Sequence, residues 1–309
     1  MNPTPQLAAE ENEDELVKLV EGNESIRVSP QIRLLIQSRL REIRTYTPKV
    51  GILGKTGAGK SSLCNALFGE TVSEVSDIEA CTREPKEFML ELTKDQRGLI
   101  LMDLPGIGEN SDRDKEYTSL YASLLPELDI ILWVLKADDR AYSVDVLTHQ
   151  QLLALDPLLS KKMIFVINQV DRLNPVKNWN DEQNSPGPLQ QELIQRRSEH
   201  ISKIFNTPSK FICAVSANEK YGLAGLIESI VNVVPNDKKY GFVREAMEDA
   251  VTPKAKEDAK KGMWEAVKET VSSAVSKIGD FYTSNRDTIN SLVSSIFNAW
   301  LATKTKRKQ

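Results

Sequence analysis

The chain has 309 residues, of which 40% are hydrophobic and 27% charged, and its formal net charge is −4. This composition is typical of a soluble globular protein with a sizeable core, and the net charge gives no overall electrostatic case for nucleic-acid binding. The three cysteines, Cys64, Cys81 and Cys213, are far apart, so we expect neither a disulfide framework nor a zinc site. The sequence has no secretory signal and no run of ~18 apolar residues, which predicts a cytoplasmic location.

The N-terminal region is predicted to contain one flanking helix. Residues 1–28 are acidic and lack periodicity, so we expect them to be mobile. A helix is predicted over 29–47, because Ser29 can cap it and Pro30 suits its first position. Apolar residues in this segment recur at helical spacing; they are Ile32, Leu35, Ile36, Leu40 and Ile43.

Residues 48–235 alternate short apolar runs with helical patterns. Strands are predicted at 50–53, 88–92, 99–102, 130–135, 163–167 and 211–215. Helices are predicted at 60–68, 117–125, 144–155, 189–205 and 223–233, and a long surface loop at 174–188. Continuous apolar runs are typical of strands that are buried on both faces. We therefore predict an α/β domain with a mostly parallel six-stranded sheet covered by helices.

A phosphate-binding loop is predicted between the first strand of this domain and the helix that follows. The pattern G-x-x-x-x-G-K-[ST] is matched by Gly54, Lys55, Thr56, Gly57, Ala58, Gly59, Lys60 and Ser61. Glycines let backbone N–H groups approach phosphate oxygens, and the helix directs its positive dipole end at them. Lys60 can reach the β- and γ-phosphates, and the Ser61 hydroxyl can ligate Mg²⁺.

Two further segments concern the γ-phosphate and the metal ion. Asp103 to Gly106 form a D-x-x-G pattern at a strand end, where Asp103 can hold Mg²⁺ through water and the Gly106 N–H can sense the γ-phosphate. Thr82 lies between the P-loop helix and the next strand, and we expect it to ligate Mg²⁺ when the γ-phosphate is present. Thr71 is a rival for this role, but it lies close to the P-loop helix.

The choice of base is predicted to depend on an N-x-x-D pattern. Asp171 can accept hydrogen bonds from guanine N1–H and the 2-amino group, and adenine offers neither donor there. Asn168 can tie this loop to the P-loop. A capping pair or an Asx turn is the alternative interpretation of the pattern alone. Ser216 and Ala217 follow the last strand, where a backbone N–H can meet guanine O6.

In this order the motifs resemble the Era-like branch of the TrmE–Era–septin class of P-loop GTPases, over residues 48–235. The run from Lys55 to Ser62 is also similar to the P-loops of immunity-related GTPases, so Ser62 joins the nucleotide-binding candidates. The overall likeness to stand-alone bacterial proteins predicts a prokaryotic origin. The resemblance implies a P-loop NTPase G domain that binds GTP or GDP with Mg²⁺ and toggles two switch loops.

The sequence departs from the family at three positions. Gln169 stands where the family usually has a lysine that packs along the purine. Ile107 follows D-x-x-G, where Ras-like enzymes place a glutamine that orients the attacking water. Gly57 replaces the asparagine with which some relatives hold a potassium ion. The candidates for positioning the water are Glu109, Arg83, Arg113 and Lys55, and slow turnover is predicted unless a dimer or a partner accelerates it.

Residues 236–309 have no strand pattern and are predicted to be helical with a basic tail. One interpretation is a helical element formed with the 29–47 helix. The other is peripheral membrane contact through 264–309, since Trp264, Phe281, Phe297 and Trp300 lie on or beside the apolar stripe and Lys304 to Lys308 form a basic cluster that can attract anionic lipid.

The predicted function is a regulatory GTPase that hydrolyses GTP to GDP and phosphate. Because Ile107 cannot orient water, a non-hydrolysing GTP-dependent binding module is an alternative. A dynamin- or septin-like structural GTPase is a third interpretation, motivated by the helical flanks, and an ATPase is the weakest rival. A homodimer through the G domain is a candidate partnership. DNA is not expected as a partner, and no basic, aromatic-interleaved segment supports binding of RNA or the ribosome.

Overall fold

The computed structural model describes residues 30–69, 86–91, 98–103 and 124–276. Contacts divide the chain into two compact units, Thr45–Ala259 and a second unit made of Met1–Arg44 with Lys260–Gln309. The larger unit contains the P-loop and the sheet. It runs past Pro235 to Ala259, and the residues from Lys260 onward belong to the second unit.

The strands are β1 (Lys49–Leu53), β2 (Lys86–Glu91), β3 (Gly98–Asp103), β4 (Ile130–Lys136), β5 (Met163–Asn168), β6 (Trp179–Asn180), β7 (Ser185–Pro186) and β8 (Ile212–Ala214). The main sheet has the order β2-β3-β1-β4-β5-β8. Only β2 is antiparallel to its neighbour, and the other five strands run parallel. The predicted α/β fold with a mostly parallel six-stranded sheet is confirmed.

The helices are α1 (Pro30–Thr45), α2 (Lys60–Phe68), α3 (Ser143–Leu155), α4 (Pro188–Phe205), α5 (Leu223–Val233), α6 (Lys239–Glu245) and α7 (Pro253–Ser276). Most of the helix predicted at 117–125 lies outside the described residues, and its end continues into a 3₁₀ turn at Leu125–Glu127. Across the described ranges, no helix is long and apolar enough to cross a membrane.

Alternate residues of a strand face opposite sides of the sheet, and in the central strands β4 and β5 the residues on both sides are buried. On one face, residues such as Ile52, Leu132 and Val166 belong to a cluster that includes side chains of α2 and α5. On the other face, residues such as Trp133 and Phe165 belong to a cluster that includes side chains of α3 and α4. This two-sided burial explains why the strand segments are continuously apolar rather than alternating.

The sheet brings distant loops to one edge. β1 pairs with β3 so that Ile52 lies opposite Asp103, and β4 pairs with β5 so that Lys136 lies opposite Asn168. Because these strands are parallel, the segments that follow their carboxyl ends meet at the same edge. The P-loop, the D-x-x-G strand end and the N-x-x-D segment are therefore neighbours although they are far apart in sequence.

The segment 174–188, predicted to be a long loop, has structure of its own. β6 and β7 form a two-stranded antiparallel ribbon, and the Asn180 side chain accepts hydrogen bonds from Glu182 N and Gln183 N within the turn. The Asn178 side chain accepts from Leu189 N at 3.0 Å and so caps α4. The polar residues that suggest a solvated loop are used for local hydrogen bonds, as asparagine often is in turns.

The second unit contains α1 and most of α7. Both helices bury an apolar stripe: Ile36, Leu40 and Ile43 in α1, and Met263, Trp264, Val267 and Val271 in α7. Each of these side chains is less than 9% exposed. The described turns of α7 therefore present no free stripe of apolar side chains, since the residues that form the stripe are already covered.

A buried ion pair lies at the amino-terminal edge of the sheet. Asp129 directly precedes β4, and its side chain is 0% exposed. Its carboxylate accepts from the Tyr46 hydroxyl at 2.8 Å, from Lys49 N at 2.8 Å and from Lys238 Nζ at 2.5 Å. Burial and the Asp129 contact raise the pKa of Tyr46 to about 12. Burial alone would lower the pKa of Lys238, but Asp129 outweighs it and the pKa is raised.

Replacing Lys238→Met should cost about 2–3 kcal/mol in the free energy of unfolding at pH 7, because Asp129 would remain buried without its cation. Urea denaturation measures this cost. The matched control is Lys220→Met, which breaks an exposed pair with Asp249 whose side chains are 61% and 51% exposed, and it should change stability by less than about 0.5 kcal/mol. Equal losses in the two variants would contradict the role given to Asp129.

A histidine lies inside the aromatic cluster on the α3/α4 face of the sheet. His149 is 4% exposed, and its ring centroid lies 5.8 Å from that of Trp133 and 5.4 Å from those of Phe165 and Phe205. Burial lowers the pKa of His149 from 6.5 to about 4. The imidazole is therefore neutral in the folded protein at neutral and mildly acidic pH.

Acid should weaken the fold through His149, because between about pH 6.5 and 4 the unfolded chain binds a proton that the folded chain excludes. We expect the free energy of unfolding to fall from pH 7 to pH 5 by about 2 kcal/mol more in the wild type than in His149→Leu. Urea denaturation at both pH values provides the comparison. An identical fall in the two proteins would show that His149 is not the acid-sensitive group.

Candidate nucleotide-binding site

The P-loop has three glycines with positive φ, Gly54, Gly57 and Gly59, and at Gly54 and Gly59 a Cβ would also meet a neighbouring group. Gly54 has φ +145°, and a Cβ there would lie 2.3 Å from the Val134 carbonyl oxygen. Gly59 has φ +83°, and a Cβ there would lie 2.5 Å from Asn168 Nδ2. Both positions therefore combine a backbone conformation that favours glycine with a neighbour that leaves no room for a side chain. The loop packs tightly on β4 and on the end of β5.

Lys60 and the two serines after it begin α2. Lys60 Nζ donates to the Gly54 carbonyl at 3.0 Å, so its side chain spans the P-loop. Ser61 is half-buried and Ser62 is exposed. The first turn of α2 therefore carries a cation and two hydroxyl groups where a helix N-terminus favours phosphate.

Asn168 joins three segments of the site. Its side chain is 1% exposed, and Nδ2 donates to the Ala58 carbonyl at 3.0 Å and the Gly59 carbonyl at 3.3 Å. Its Oδ1 accepts from Ala217 N at 3.2 Å. One amide therefore ties the N-x-x-D segment to the P-loop and to the segment after β8, as a buried polar group requires.

Gln169 also contacts the P-loop. It adopts a left-handed conformation with φ 65°, and its Nε2 donates to the Gly57 carbonyl at 3.1 Å. Its Oε1 accepts from Arg172 Nη1 at 3.4 Å. At the position where the family usually has lysine, a neutral side chain thus reaches the P-loop, with a guanidinium beside it.

Asp171 lines a pocket next to these loops. The pocket has a volume of about 50 Å³, well below the roughly 300 Å³ at which pockets for whole drug-sized ligands begin. Its lining is polar and comprises Gly59, Ser62, Asn168, Gln169, Asp171, Arg172, Ser216, Ala217 and Asn218. Asp171 Oδ1 is buried and has no hydrogen-bond partner within the described ranges. Arg172 Nε lies 4.0 Å from the other oxygen, Oδ2.

Ser216 and Ala217 complete the wall of this pocket. Ser216 is fully buried, and its backbone pairs with Tyr221 through two hydrogen bonds of 3.0 Å. The Ser216 hydroxyl accepts from Glu219 N at 3.2 Å. These bonds form a tight turn that presents the Ala217 backbone to Asn168.

Of the other candidate residues, the structure describes Asp103 and Lys55. Asp103 is the last residue of β3, beside β1. The Lys55 ammonium binds Asp145 Oδ2 at 2.9 Å and Asp139 Oδ2 at 3.2 Å. The remaining candidates lie outside the described residues; they are Thr82, Arg83, Gly106, Ile107, Glu109 and Arg113.

One supporting residue was not found by sequence reasoning. Gln190 in α4 is fully buried, and its Nε2 donates to the carbonyls of Asp171 at 3.3 Å and Leu173 at 2.9 Å. These bonds hold the backbone segment that carries Asp171. No motif marks it, because a glutamine early in a polar helix looks like a solvated surface residue.

Comparison with known proteins gives consistent matches. A family profile described as 50S ribosome-binding GTPase matches residues 49–169. YkfA of Escherichia coli K12 is 38% identical over 235 residues, which cover 76% of this chain and 78% of YkfA. GTPase Era of Thermoanaerobacter sp. X514 is 28% identical over 62% of this chain and 56% of Era, so the chain spans only about half the length of Era.

Among solved structures, Era in complex with MgGDPNP and nucleotides 1506–1542 of 16S ribosomal RNA is 26% identical, with a TM-score of 0.43 over 61% of this chain and 57% of that chain. The expectation that the ribosome has no support as a partner needs correction, because the description of the matched family names the ribosome. The relatives include bacterial proteins, as predicted. The identity with YkfA over more than three quarters of both chains, together with the family match, shows that the chain belongs to the Era-like P-loop GTPases, in one family with YkfA.

Proposed function

We propose that this protein binds GTP and GDP with Mg²⁺ and hydrolyses GTP to GDP and phosphate as a regulatory switch. The observation that carries the proposal is Asp171 Oδ1, a buried carboxylate oxygen without a partner in the described part of the chain, in a pocket beside the P-loop. A buried acceptor without a donor costs free energy. Guanine N1–H and its 2-amino group would supply the donors, whereas adenine would not.

The phosphates would be bound by the P-loop residues from Gly54 to Ser62, with Lys60 as the cation nearest the β- and γ-phosphates. The Gly59 conformation and the position of Lys60 across the loop support this role. The Asn168 and Ala217 contacts would keep the base pocket at a constant distance from the phosphates.

Mg²⁺ would be held by the Ser61 hydroxyl, by Asp103 through water and by Thr82. The donors are the oxygen ligands that Mg²⁺ prefers, and the half-buried Ser61 lies in the first turn of α2, near the strand end that carries Asp103. When bound, the ion would neutralise charge on the phosphate oxygens. Thr82 and the Gly106 N–H would report the presence of the γ-phosphate.

Hydrolysis would depend on Lys60, Thr82 and Gly106 for charge stabilisation, and on a group that orients water. Glu109 is the candidate for the last role, because Ile107 has no hydrogen-bonding side chain. With the Lys55 ammonium bound to Asp139 and Asp145, we propose slow intrinsic turnover that a second copy or a partner accelerates.

The candidate partners of the protein are the ribosome, with its RNA, and a membrane. Binding of ribosomal RNA or the ribosome is a candidate role, since the matched family carries the ribosome in its description. Membrane contact through 264–309 receives less support, because the described part of that segment buries Trp264, Val267 and Val271. The same burial favours the interpretation of α1 and α7 as parts of a helical element.

Asp171→Asn tests the base preference directly. The asparagine amide donates where the carboxylate accepts, so it should lose GDP and gain XDP, whose C2 carbonyl is an acceptor. We expect GDP affinity to fall at least roughly a hundredfold and XDP affinity to rise, measured by competition against a fluorescent nucleotide. ADP serves as the control and should bind weakly to both proteins. Unchanged GDP affinity would remove Asp171 from the site.

Single-turnover hydrolysis of GTP tests the chemistry. We expect a rate constant on the order of 10⁻⁴ to 10⁻² s⁻¹, as for G domains without an activating protein, and a higher value at high protein concentration if dimers form. Lys60→Ala controls for contaminating GTPases and should abolish the signal. GTP binding with a rate no faster than that of free GTP would instead favour the non-hydrolysing binding module.

A further inference from the structure

Lys55 is in the P-loop, but its ammonium is bound by residues after β4. Nζ lies 2.9 Å from Asp145 Oδ2 and 3.2 Å from Asp139 Oδ2, and it also donates to the Ala141 carbonyl. The ammonium therefore donates hydrogen bonds to Asp139 and Ala141 and forms an ion pair with Asp145. Lys55 therefore differs from Lys60, whose ammonium stays within the P-loop.

Asp145 makes this contact a requirement of the fold. Its side chain is 1% exposed, and its Oδ1 accepts from the Trp133 indole at 3.3 Å. A buried carboxylate is tolerated when a cation and hydrogen bonds compensate for lost hydration. Burial opposes the charge on Lys55, but Asp145 and Asp139 outweigh it and raise the pKa of Lys55. The Lys55 ammonium therefore stays charged at neutral pH.

Asp139 is itself held in place from two sides. Its Oδ1 accepts from Ala141 N at 2.9 Å, and its backbone carbonyl accepts from Arg197 of α4 at 2.9 Å. Burial opposes the ionisation of Asp139, but the Ala141 and Lys55 contacts outweigh it and lower the pKa of the carboxyl. The partners of Lys55 thus belong to the loop between β4 and α3, which carries Asp139 and Ala141, and to the first turn of α3, which carries Asp145.

Gly54 links this anchor to the phosphate site. It precedes Lys55, packs on the Val134 carbonyl and accepts from Lys60 Nζ. A shift of Lys55 would move the carbonyl that holds the Lys60 ammonium. On the basis of the function proposed above, we propose that Lys55 is a positioning residue: its pairing with Asp145 holds the start of the P-loop in the shape that binds the β-phosphate, without itself touching the phosphates.

Two variants test this inference by comparing GDP with GMP, which lacks the β-phosphate. Lys55→Met and Asp145→Asn should each lower GDP affinity roughly tenfold to a hundredfold, the range seen when outer partners of a binding site are removed. GMP affinity should change much less. The double variant should lose no more GDP affinity than the single variants, because both remove the same contact. Competition against a fluorescent GDP analogue, with Mg²⁺, gives all these values.

The matched control is Asp138→Asn in the same loop. Asp138 pairs with Lys136 at 3.3 Å on the surface, and its side chain is 50% exposed, so GDP affinity should not change. Lys55→Arg keeps a cation that can pair with both carboxylates and should recover part of the loss. Circular dichroism and urea denaturation establish that each variant is folded before its affinity is compared.

Several results would overturn the inference. If Lys55 touches the phosphates directly, Asp145→Asn will leave GDP affinity unchanged or raise it, because the ammonium is released. Equal losses of GDP and GMP affinity would mean general damage to the site. If the wild type binds GDP and the Lys55 and Asp145 variants bind it with the same affinity, only the positioning role is wrong. A wild-type protein that binds no guanine nucleotide would remove the proposed function and this inference together.

Discussion

The carboxamide of Asn168 is the contact on which the geometry of the candidate site depends. It donates to the Ala58 and Gly59 carbonyls and accepts from Ala217 N, so one side chain joins loops that follow three different strands. Because the group is 1% exposed, an unmade bond would carry its full desolvation cost. The close approach of Asn168 also explains why Gly59 has no space for a Cβ.

Two buried carboxylates, Asp129 and Asp145, form ion pairs at opposite edges of the sheet. Asp129 stands at the amino-terminal edge, where Tyr46, Lys49 and Lys238 satisfy it. Asp145 stands at the carboxyl edge, where its cation comes from the P-loop. Parallel sheets place their ligand sites at the carboxyl edge. The pair of Asp145 with Lys55 is therefore next to the P-loop, whereas the pair of Asp129 with Lys238 lies at the opposite edge.

One departure from the family pattern, Gln169 in place of lysine, is explained by a contact with the P-loop. Gln169 reaches the Gly57 carbonyl, so the link between the base loop and the P-loop persists without the lysine charge. Arg172 and Asp171 lie beside this link, which leaves a cation near the pocket although it is not in the usual position. Ile107 lies outside the described residues, so the inference that it cannot orient the attacking water stays a prediction.

Sequence alone determined the P-loop pattern, the N-x-x-D pattern and a mostly parallel six-stranded sheet, because Gly/Lys/Ser spacing and continuous apolar runs are local patterns. It did not determine the ribbon at β6 and β7, the Gln190 bonds to the base loop or the acceptors of Lys55. Those depend on which segments the sheet order brings together. Lys55 and Asp145 are 90 positions apart, and only the parallel pairing of β1 with β4 makes them neighbours, so tertiary structure decided the partner of that charge.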